Sequence, residues 1–183
     1  MVTTIPDEHA ACPRDLVHRK FTATRPNPLW VSDGTYGTTW RGLVYVAFGL
    51  DVFARRRVGW RASTSLRTDL ALDALDHARY ARATDAPLVH HRDHGGQDLS
   101  LRYPARLAEA GIEPSVGRRG ASYDNALAAS ILGLSTTEGS DNDGPWQSLD
   151  HVEYATREWV SWFHTARVLE PLGYVPPAED EAP

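Results

Sequence analysis

The apolar run Gly42–Asp51 is the feature that most constrains the fold of this chain. Nearly all of its residues are apolar, and they do not alternate with polar ones. A strand that is covered on both faces of its sheet has this pattern. The chain must therefore supply helices or loops to both sides of the sheet that contains Gly42–Asp51.

Shorter apolar runs on either side of this strand predict its neighbours. Leu29–Asp33 ends on a carboxylate, and the turn residues Gly34–Gly37 follow it, which predicts a first strand and a tight connection. After the basic turn Arg55–Arg57, the segment Val58–Ala62 predicts a third strand. Three strands joined by short connections predict an antiparallel meander.

Helices and strands alternate beyond the meander. The predicted elements are a helix over about Leu70–Arg82 capped by Thr68 or Asp69, a strand Pro87–His91, a helix Arg102–Ala110, a strand Ile112–Val116, a helix from Asn125 and a last helix at about Leu149–Arg167. Alternation of this kind implies parallel pairing. We therefore predict an α/β fold in which three antiparallel and two parallel strands form a five-stranded mixed sheet flanked by helices.

Proline-rich segments border this predicted core. Residues 1–28 contain four prolines and no periodic apolar pattern, which predicts an N-terminal arm or linker. Residues 171–183 contain Pro176 and Pro177 and end in acidic residues, which predicts a C-terminal tail without regular structure. The core itself is then residues 29–170, and a chain of 183 residues is long enough for one such domain.

Composition excludes several classes of protein. Cys12 is the only cysteine, so an internal disulfide framework and a cysteine-based zinc site are excluded. No segment contains the roughly 18 uncharged apolar residues that cross a membrane, so we expect no membrane partner and a cytoplasmic location. Basic residues outnumber acidic ones up to residue 120 and acidic residues dominate afterwards, which permits a nucleic-acid partner without requiring one.

Two carboxylates occupy positions from which they can meet. Asp33 ends the first predicted strand and Asp93 follows the fourth, so both side chains can project at one edge of the sheet if these strands are neighbours. Carboxylate oxygens suit a hard divalent cation such as Mg²⁺, and paired metals serve phosphoryl transfer. The ordinary interpretation of a single aspartate at a strand end is a turn or cap residue.

Five sequence words, in order, resemble the retroviral-integrase-type catalytic core of bacterial insertion-sequence transposases, and the resemblance covers about residues 21–180. The words are Pro26–Tyr36, Asp51–Trp60, His90–Gln97, Ser122–Ala126, and Trp162–Phe163 with Arg167 and Pro171–Tyr174. The resemblance implies an RNase H-like fold, an Asp-Asp-Glu site for Mg²⁺ or Mn²⁺, and cleavage and joining of transposon ends and target DNA. It assigns the first two carboxylates to Asp33 and Asp93.

The third carboxylate of this family is missing. The family's spacing from the second aspartate leads to Ala129, whose methyl group cannot bind a metal. Glu138 would lie on the opposite side of the predicted helix, and Asp124 is better explained as its cap, although it remains the stronger substitute. We therefore predict a degenerate copy with weakened metal binding and impaired strand transfer.

Other residues around the predicted site admit more than one interpretation. Arg118, Arg119 and Asn125 are candidates for DNA contacts, whereas the turn Arg55–Arg57 is more often only solvated. The cluster formed by His90, His91, Asp93 and His94 is an alternative zinc site, although adjacent strand residues point to opposite faces. The tryptophans Trp30, Trp60, Trp159 and Trp162 are predicted to belong to the core.

A second function of a different class is a non-catalytic one. Members of this family recognise DNA ends through helix-turn-helix segments before the core, and residues 1–28 contain no such pattern. The chain would then bind DNA weakly, form a homo-oligomer, or associate with an intact transposase. A gel shift that falls steeply with salt would indicate the first, and co-purification with a full-length relative would indicate the last.

Overall fold

The computed structural model describes residues 13–65, 68–82, 86–92, 102–117 and 146–182. Its strands are β1 (Leu29–Thr39), β2 (Gly42–Asp51), β3 (Arg57–Ser63), β4 (Leu88–Arg92) and β5 (Ile112–Val116). Its helices are α1 (Thr68–Ala81), α2 (Arg102–Glu109), α3 (Leu149–Thr165) and α4 (Pro177–Asp180), with a 3-10 turn at Glu170–Leu172. The helix predicted from Asn125 lies outside the described residues.

The five strands form one mixed sheet in the order β3-β2-β1-β4-β5. β1, β2 and β3 pair antiparallel, and β4 pairs parallel with both β1 and β5. The predicted meander with two added parallel strands is therefore confirmed. β2 lies between β1 and β3 and is buried over most of its length, as its apolar sequence requires.

β1 is longer than the sequence indicated. A turn was predicted at Gly34–Gly37, but the strand continues through these residues because β2 pairs with them in unbroken register, from Gly34 with Ala47 to Gly37 with Val44. The turn comes instead after Thr39, whose hydroxyl donates a hydrogen bond to the carbonyl of Gly42 at 2.8 Å. Gly42 there has a φ of 118°, a conformation that suits glycine.

Helices cover both faces of the sheet. On one face, α1 and α2 pack on Trp30, Val58 and Ile112 through a cluster that includes Leu75 and Leu107. On the other face, α3 begins after Ser148, whose hydroxyl accepts a hydrogen bond from the amide of His151. The inward face of α3 packs on the sheet through Val152 with Val44, Val46 and Phe48, and through Trp159 and Phe163 with Leu50.

Gly59 is the point of closest approach between the sheet and α1. A Cβ atom placed on Gly59 would lie 2.6 Å from the amide nitrogen of Ala78 and 2.7 Å from the Ala78 Cβ. A real Cβ atom essentially never lies this close to a non-bonded heavy atom. The amide nitrogen belongs to the helix backbone, which cannot rotate away. The absence of a side chain at residue 59 therefore sets how closely α1 packs on β3.

The sequence suggested that the basic turn Arg55–Arg57 is only solvated, but two of its side chains have partners in the structure. The side chain of Arg57 is buried, with its guanidinium carbon 3.8 Å from the ring centroid of Trp159 and 4.4 Å from that of Phe163. Arg56 forms an ion pair with Glu181 at 2.7 Å. These partners come from α3 and from the end of the chain, far from the turn in sequence, so the local charge pattern could not indicate them.

Both flanking segments contact the core where the structure describes them. Val17 is buried in a cluster with Leu29, Val31 and Val52. At the other end, where no regular structure was predicted, residues after Pro176 form α4, and Glu181 follows it. The division of the chain at residues 28 and 171 remains a prediction.

Three of the four tryptophans predicted to lie in the core do so at least in part. Trp30 and Trp159 are buried, and Trp60 packs against the cluster under α3. Trp162 is 42 % exposed, and that prediction was wrong. Trp159 and Phe163 take the inward positions of this turn of α3, which leaves the Trp162 ring beside the guanidinium of Arg167, 5.6 Å away.

Candidate active site

The strands that lead to the two predicted carboxylates, β1 and β4, pair in parallel. The register runs from Leu29 opposite Val89 to Ser32 opposite Arg92. Asp33 follows Ser32 directly within β1, where its backbone pairs with Phe48 of β2. Asp93 follows Arg92 directly in the sequence and lies outside the described residues. Within the described residues, the aligned pair Ser32 and Arg92 therefore directly precedes the two predicted carboxylates in the sequence.

The remaining predicted site residues also lie outside the part of the chain that the structure describes. They are Arg118, Arg119, Asp124, Asn125, Ala129 and Glu138. The last described residue before them, Gly117, donates a backbone hydrogen bond to the carbonyl of Arg92 at 3.0 Å. The chain that leads to Arg118 thus begins beside the end of β4.

Three side chains from three elements meet at His90. The imidazole is buried, and its Nε2 atom forms a short hydrogen bond with the hydroxyl of Ser32 on β1. Its Nδ1 atom forms another with the hydroxyl of Tyr103 on α2. A neutral imidazole has one donor and one acceptor, and each hydroxyl can play either role, so both contacts are satisfied at once. Ser32, the β1 residue of this network, directly precedes Asp33 in the sequence.

His91 is held on the opposite face of β4. Its Nδ1 atom lies 2.8 Å from the hydroxyl of Ser115 on β5, and that hydroxyl accepts a hydrogen bond from the amide of Leu16 at 2.9 Å. The ring of Phe21 packs edge-on against the imidazole, with centroids 5.6 Å apart. His91 therefore joins β4, β5 and the segment that precedes β1.

This arrangement places the two described histidines of the alternative zinc site on opposite faces of β4. His90 faces α2 and His91 faces the N-terminal segment, as strand alternation requires. Among the residues that the structure describes, no three His, Cys, Asp or Glu side chains are grouped closely enough to hold a metal. Asp93 and His94 lie outside those residues, so the zinc alternative stays a prediction.

Burial keeps two histidines neutral. Burial, together with the nearby charges of Arg92 and His91, lowers the pKa of His90 to about 3. Burial, together with the charges of Arg56, Arg57 and Arg82, lowers the pKa of His164 to about 4. Neutral His164 accepts a hydrogen bond from the amide of Arg57 at 3.0 Å, which the protonated ring would not do.

The protein is expected to lose stability between pH 8 and pH 5. Folded His90 and His164 stay neutral in this range, whereas the unfolded chain takes up protons below about pH 6.5. Because both folded-state pKa values are depressed, their contribution is complete above about pH 6.5 and is lost as the pH falls. The loss at pH 5 is about 2 kcal/mol for His90 and less for the partly exposed His164. Urea unfolding at pH 8, 6 and 5 measures it, and an unchanged midpoint would contradict it.

Sequence reasoning missed the partners of the two histidines. Ser32 and Ser115 are small polar residues within apolar strands, and Tyr103 lies among the buried residues of α2. The only signal in the sequence for these partners was the position of Ser32, directly before the predicted carboxylate Asp33. Arg92 is a further basic group at the end of β4, with its guanidinium carbon 4.9 Å from the centroid of the Tyr103 ring.

The donor set fits a hard divalent cation only in part. Mg²⁺ prefers oxygen ligands in near-octahedral geometry and retains several waters, so two carboxylates are a workable minimum. Asp33 and Asp93 supply oxygen atoms of the right kind, and Ala129 supplies none. The resemblance predicts one protein ligand more, at the position of Ala129.

Residues 23–122 match the family model described as the integrase core domain. The chain belongs to this family. A protein of Mycobacterium tuberculosis assigned to insertion sequence element IS986/IS6110 is 49 % identical over 185 residues. The transposase for insertion sequence element IS629 of Shigella sonnei is 48 % identical over 180 residues. Each match covers 98 % of this chain, which spans 66 % and 60 % of the two relatives.

Solved structures of retroviral integrases share the fold. The HTLV-2 integrase catalytic core domain in complex with magnesium has a TM-score of 0.69 at 16 % identity, covering 87 % of this chain and 99 % of that one. The simian T-cell lymphotropic virus intasome has a TM-score of 0.74 at 16 % identity, covering 93 % of this chain and 59 % of that one. The predicted RNase H-like fold is thereby confirmed. In the described parts of the integrase-core chain, no helix combines the length and apolar character that a membrane span needs.

Proposed function

We propose that this chain is a transposase catalytic core for metal-dependent DNA strand cleavage and transfer, in a degenerate copy with impaired catalysis. The observation that carries the proposal is the parallel register of β1 and β4. Within the described residues it runs as far as Ser32 and Arg92, the residues directly before Asp33 and Asp93. The two predicted carboxylates thus directly follow a pair of aligned residues on adjacent strands, which suits a shared metal site.

Asp33 and Asp93 would hold Mg²⁺ or Mn²⁺ through their carboxylate oxygens. When bound, the metal supplies charge stabilisation for the attacking and leaving oxygens of phosphoryl transfer. The chain's own contribution is to hold the two carboxylates on neighbouring strands and to provide basic groups nearby. Arg92, Arg118 and Arg119 would contact the phosphates of transposon-end and target DNA, together with Asn125.

The impairment follows from the third position. Ala129 occupies the place of the family's glutamate, so the metal has one ligand fewer and is less well positioned. Thr136 occupies the place of a basic residue that follows this glutamate in the family. In the described residues, the apolar strands pair in one sheet and the buried histidines form hydrogen bonds, which supports a fold that is retained. A DNA substrate supports a cytoplasmic location.

The purified chain is expected to cleave or join element-end DNA about a thousandfold more slowly than an intact relative, with Mg²⁺ or Mn²⁺ supplied. A carboxylate that contributes about 4 kcal/mol at the transition state accounts for a factor of this size. Nicking and strand-transfer products on labelled DNA measure the rate, and Asp33→Asn is the control for contaminating nucleases. Efficient cleavage that disappears in Asp33→Asn would contradict the degenerate copy.

A second candidate function is association with an intact transposase. The hairpin of β1 and β2 exposes large apolar side chains, namely Tyr36, Trp40 and Leu43. Clustered exposed aromatic residues are typical of interaction surfaces. The two functions differ in their requirements, because association through the hairpin would not need Asp33.

A further inference from the structure

The two consecutive histidines of β4 are bound to different elements on opposite faces of the sheet. His90 and His91 are both buried, and neither is explained by apolar packing alone. A buried imidazole requires hydrogen-bond partners, and each ring has them. The pair occupies the last buried positions of β4 before the predicted second carboxylate.

The His90 contacts connect β4 to β1 at the level of the first carboxylate. His90 lies opposite Trp30 in the strand register, and its Nε2 atom contacts the Ser32 hydroxyl two residues further along β1. Tyr103 contacts Nδ1 from α2 and so fixes the plane of the ring. A shift of β4 along β1 by one residue would break both hydrogen bonds and leave buried polar atoms unpaired, which is unfavourable.

The His91 contacts restrain the other face of the same strand. Ser115 bonds to His91 and also accepts the amide hydrogen of Leu16, so one hydroxyl connects β4, β5 and the segment before β1. Asp15 accepts hydrogen bonds from the amides of Val17 and His18 and holds that segment in a turn. The end of β4 is therefore held from both faces by the hydrogen bonds of its two histidines.

We propose that His90 and His91 are positioning residues, which hold the end of β4, the strand that leads to Asp93, against β1, which contains Asp33. The inference rests on the proposed function, because it assumes that Asp33 and Asp93 share a cation. Imidazoles suit this task, since their ring nitrogens form hydrogen bonds with hydroxyl groups of neighbouring elements. Residues that support metal ligands in this way typically change metal affinity 10–100-fold when altered.

The test compares Mn²⁺ affinity in an Ala129→Glu background, where the full ligand set is present. Tyr103→Phe and Ser115→Ala each remove one hydroxyl from one face, and both are expected to weaken Mn²⁺ binding about tenfold. Val152→Ala is the matched control, because it destabilises the core under α3 without contact to β4. Equal Mn²⁺ affinity in the parent and both hydroxyl variants would overturn the proposal, as would an equal loss in Val152→Ala.

Amide hydrogen exchange without metal separates this proposal from the proposed function. Tyr103→Phe should raise exchange about tenfold at the paired ends of β1 and β4, with little change between β2 and β3. If Ala129→Glu binds no Mn²⁺ in an Asp33-dependent manner, the shared metal site is refuted and exchange alone decides the role of the histidines. Exchange that is unchanged, or raised equally throughout the sheet, would refute the positioning role.

Discussion

Gly59→Ala is expected to destabilise the protein by about 3 kcal/mol, a large part of the free energy of unfolding of an ordinary domain. The new methyl group would lie 2.6 Å from the amide nitrogen of Ala78, so α1 would have to move away from β3. That movement would open the cluster that Val58 forms with Leu75 and Ala78. Urea unfolding followed by tryptophan fluorescence measures the loss, since Trp30 and Trp60 lie in the affected sheet.

Gly49→Ala is the matched control for this substitution. Gly49 pairs with Gly59 in the register of β2 and β3, but a Cβ at this position would lie 3.6 Å from the nearest atom, the Val58 Cγ2. This is an ordinary contact, so the variant should stay within about 1 kcal/mol of the parent. Similar losses in the two variants would show that the distance between α1 and β3 is not the cause.

Ala129→Glu is expected to raise DNA cleavage by about a thousandfold, which corresponds to about 4 kcal/mol of recovered transition-state stabilisation. The substitution returns a carboxylate to the position where the family has one, and Asp33 and Asp93 are already present. Mn²⁺ binding should strengthen in parallel. Labelled DNA with transposon ends measures cleavage, and calorimetric titration measures the affinity for Mn²⁺.

Ala128→Glu supplies the same carboxylate one residue earlier. On the helix predicted from Asn125, one residue is a rotation of about 100°, so this side chain would point elsewhere. It should restore neither cleavage nor Mn²⁺ binding. Recovery in both variants would mean that added negative charge is sufficient, and recovery in neither would mean that the copy has lost more than one ligand.

The strands were predictable because burial leaves a local signature. Gly42–Asp51 and Ile112–Val116 begin and end where the apolar pattern indicated. The extension of β1 through Gly34–Gly37 was not predictable from local sequence. These turn-forming residues are extended because they pair with β2. Pairing with a neighbour outweighs local preference at such positions.

The site residues stay a prediction, and the contacts that support them could not be read from the sequence. Asp33 and Asp93 were predicted from sequence words and strand ends, but Asp33 lies within β1 rather than at its end, and Asp93 lies outside the described residues. The hydroxyls that hold His90 and His91 come from β1, α2 and β5, and only tertiary structure brings these elements together. The same applies to Arg57. The sequence suggests a surface residue, but in the folded chain its side chain lies against Trp159 of α3.

The ion pairs of Glu181 bear on how a recombinant fragment should be designed. Its carboxylate, almost fully buried, bonds to Arg82 at the end of α1 and to Arg56 before β3. Trimming the gene at residue 170 would leave both guanidinium groups without this counter-ion and would uncover Pro177, which is buried in the full chain. Expression plasmids for crystallisation or NMR should therefore retain Glu181, even though the final residues resemble a dispensable tail.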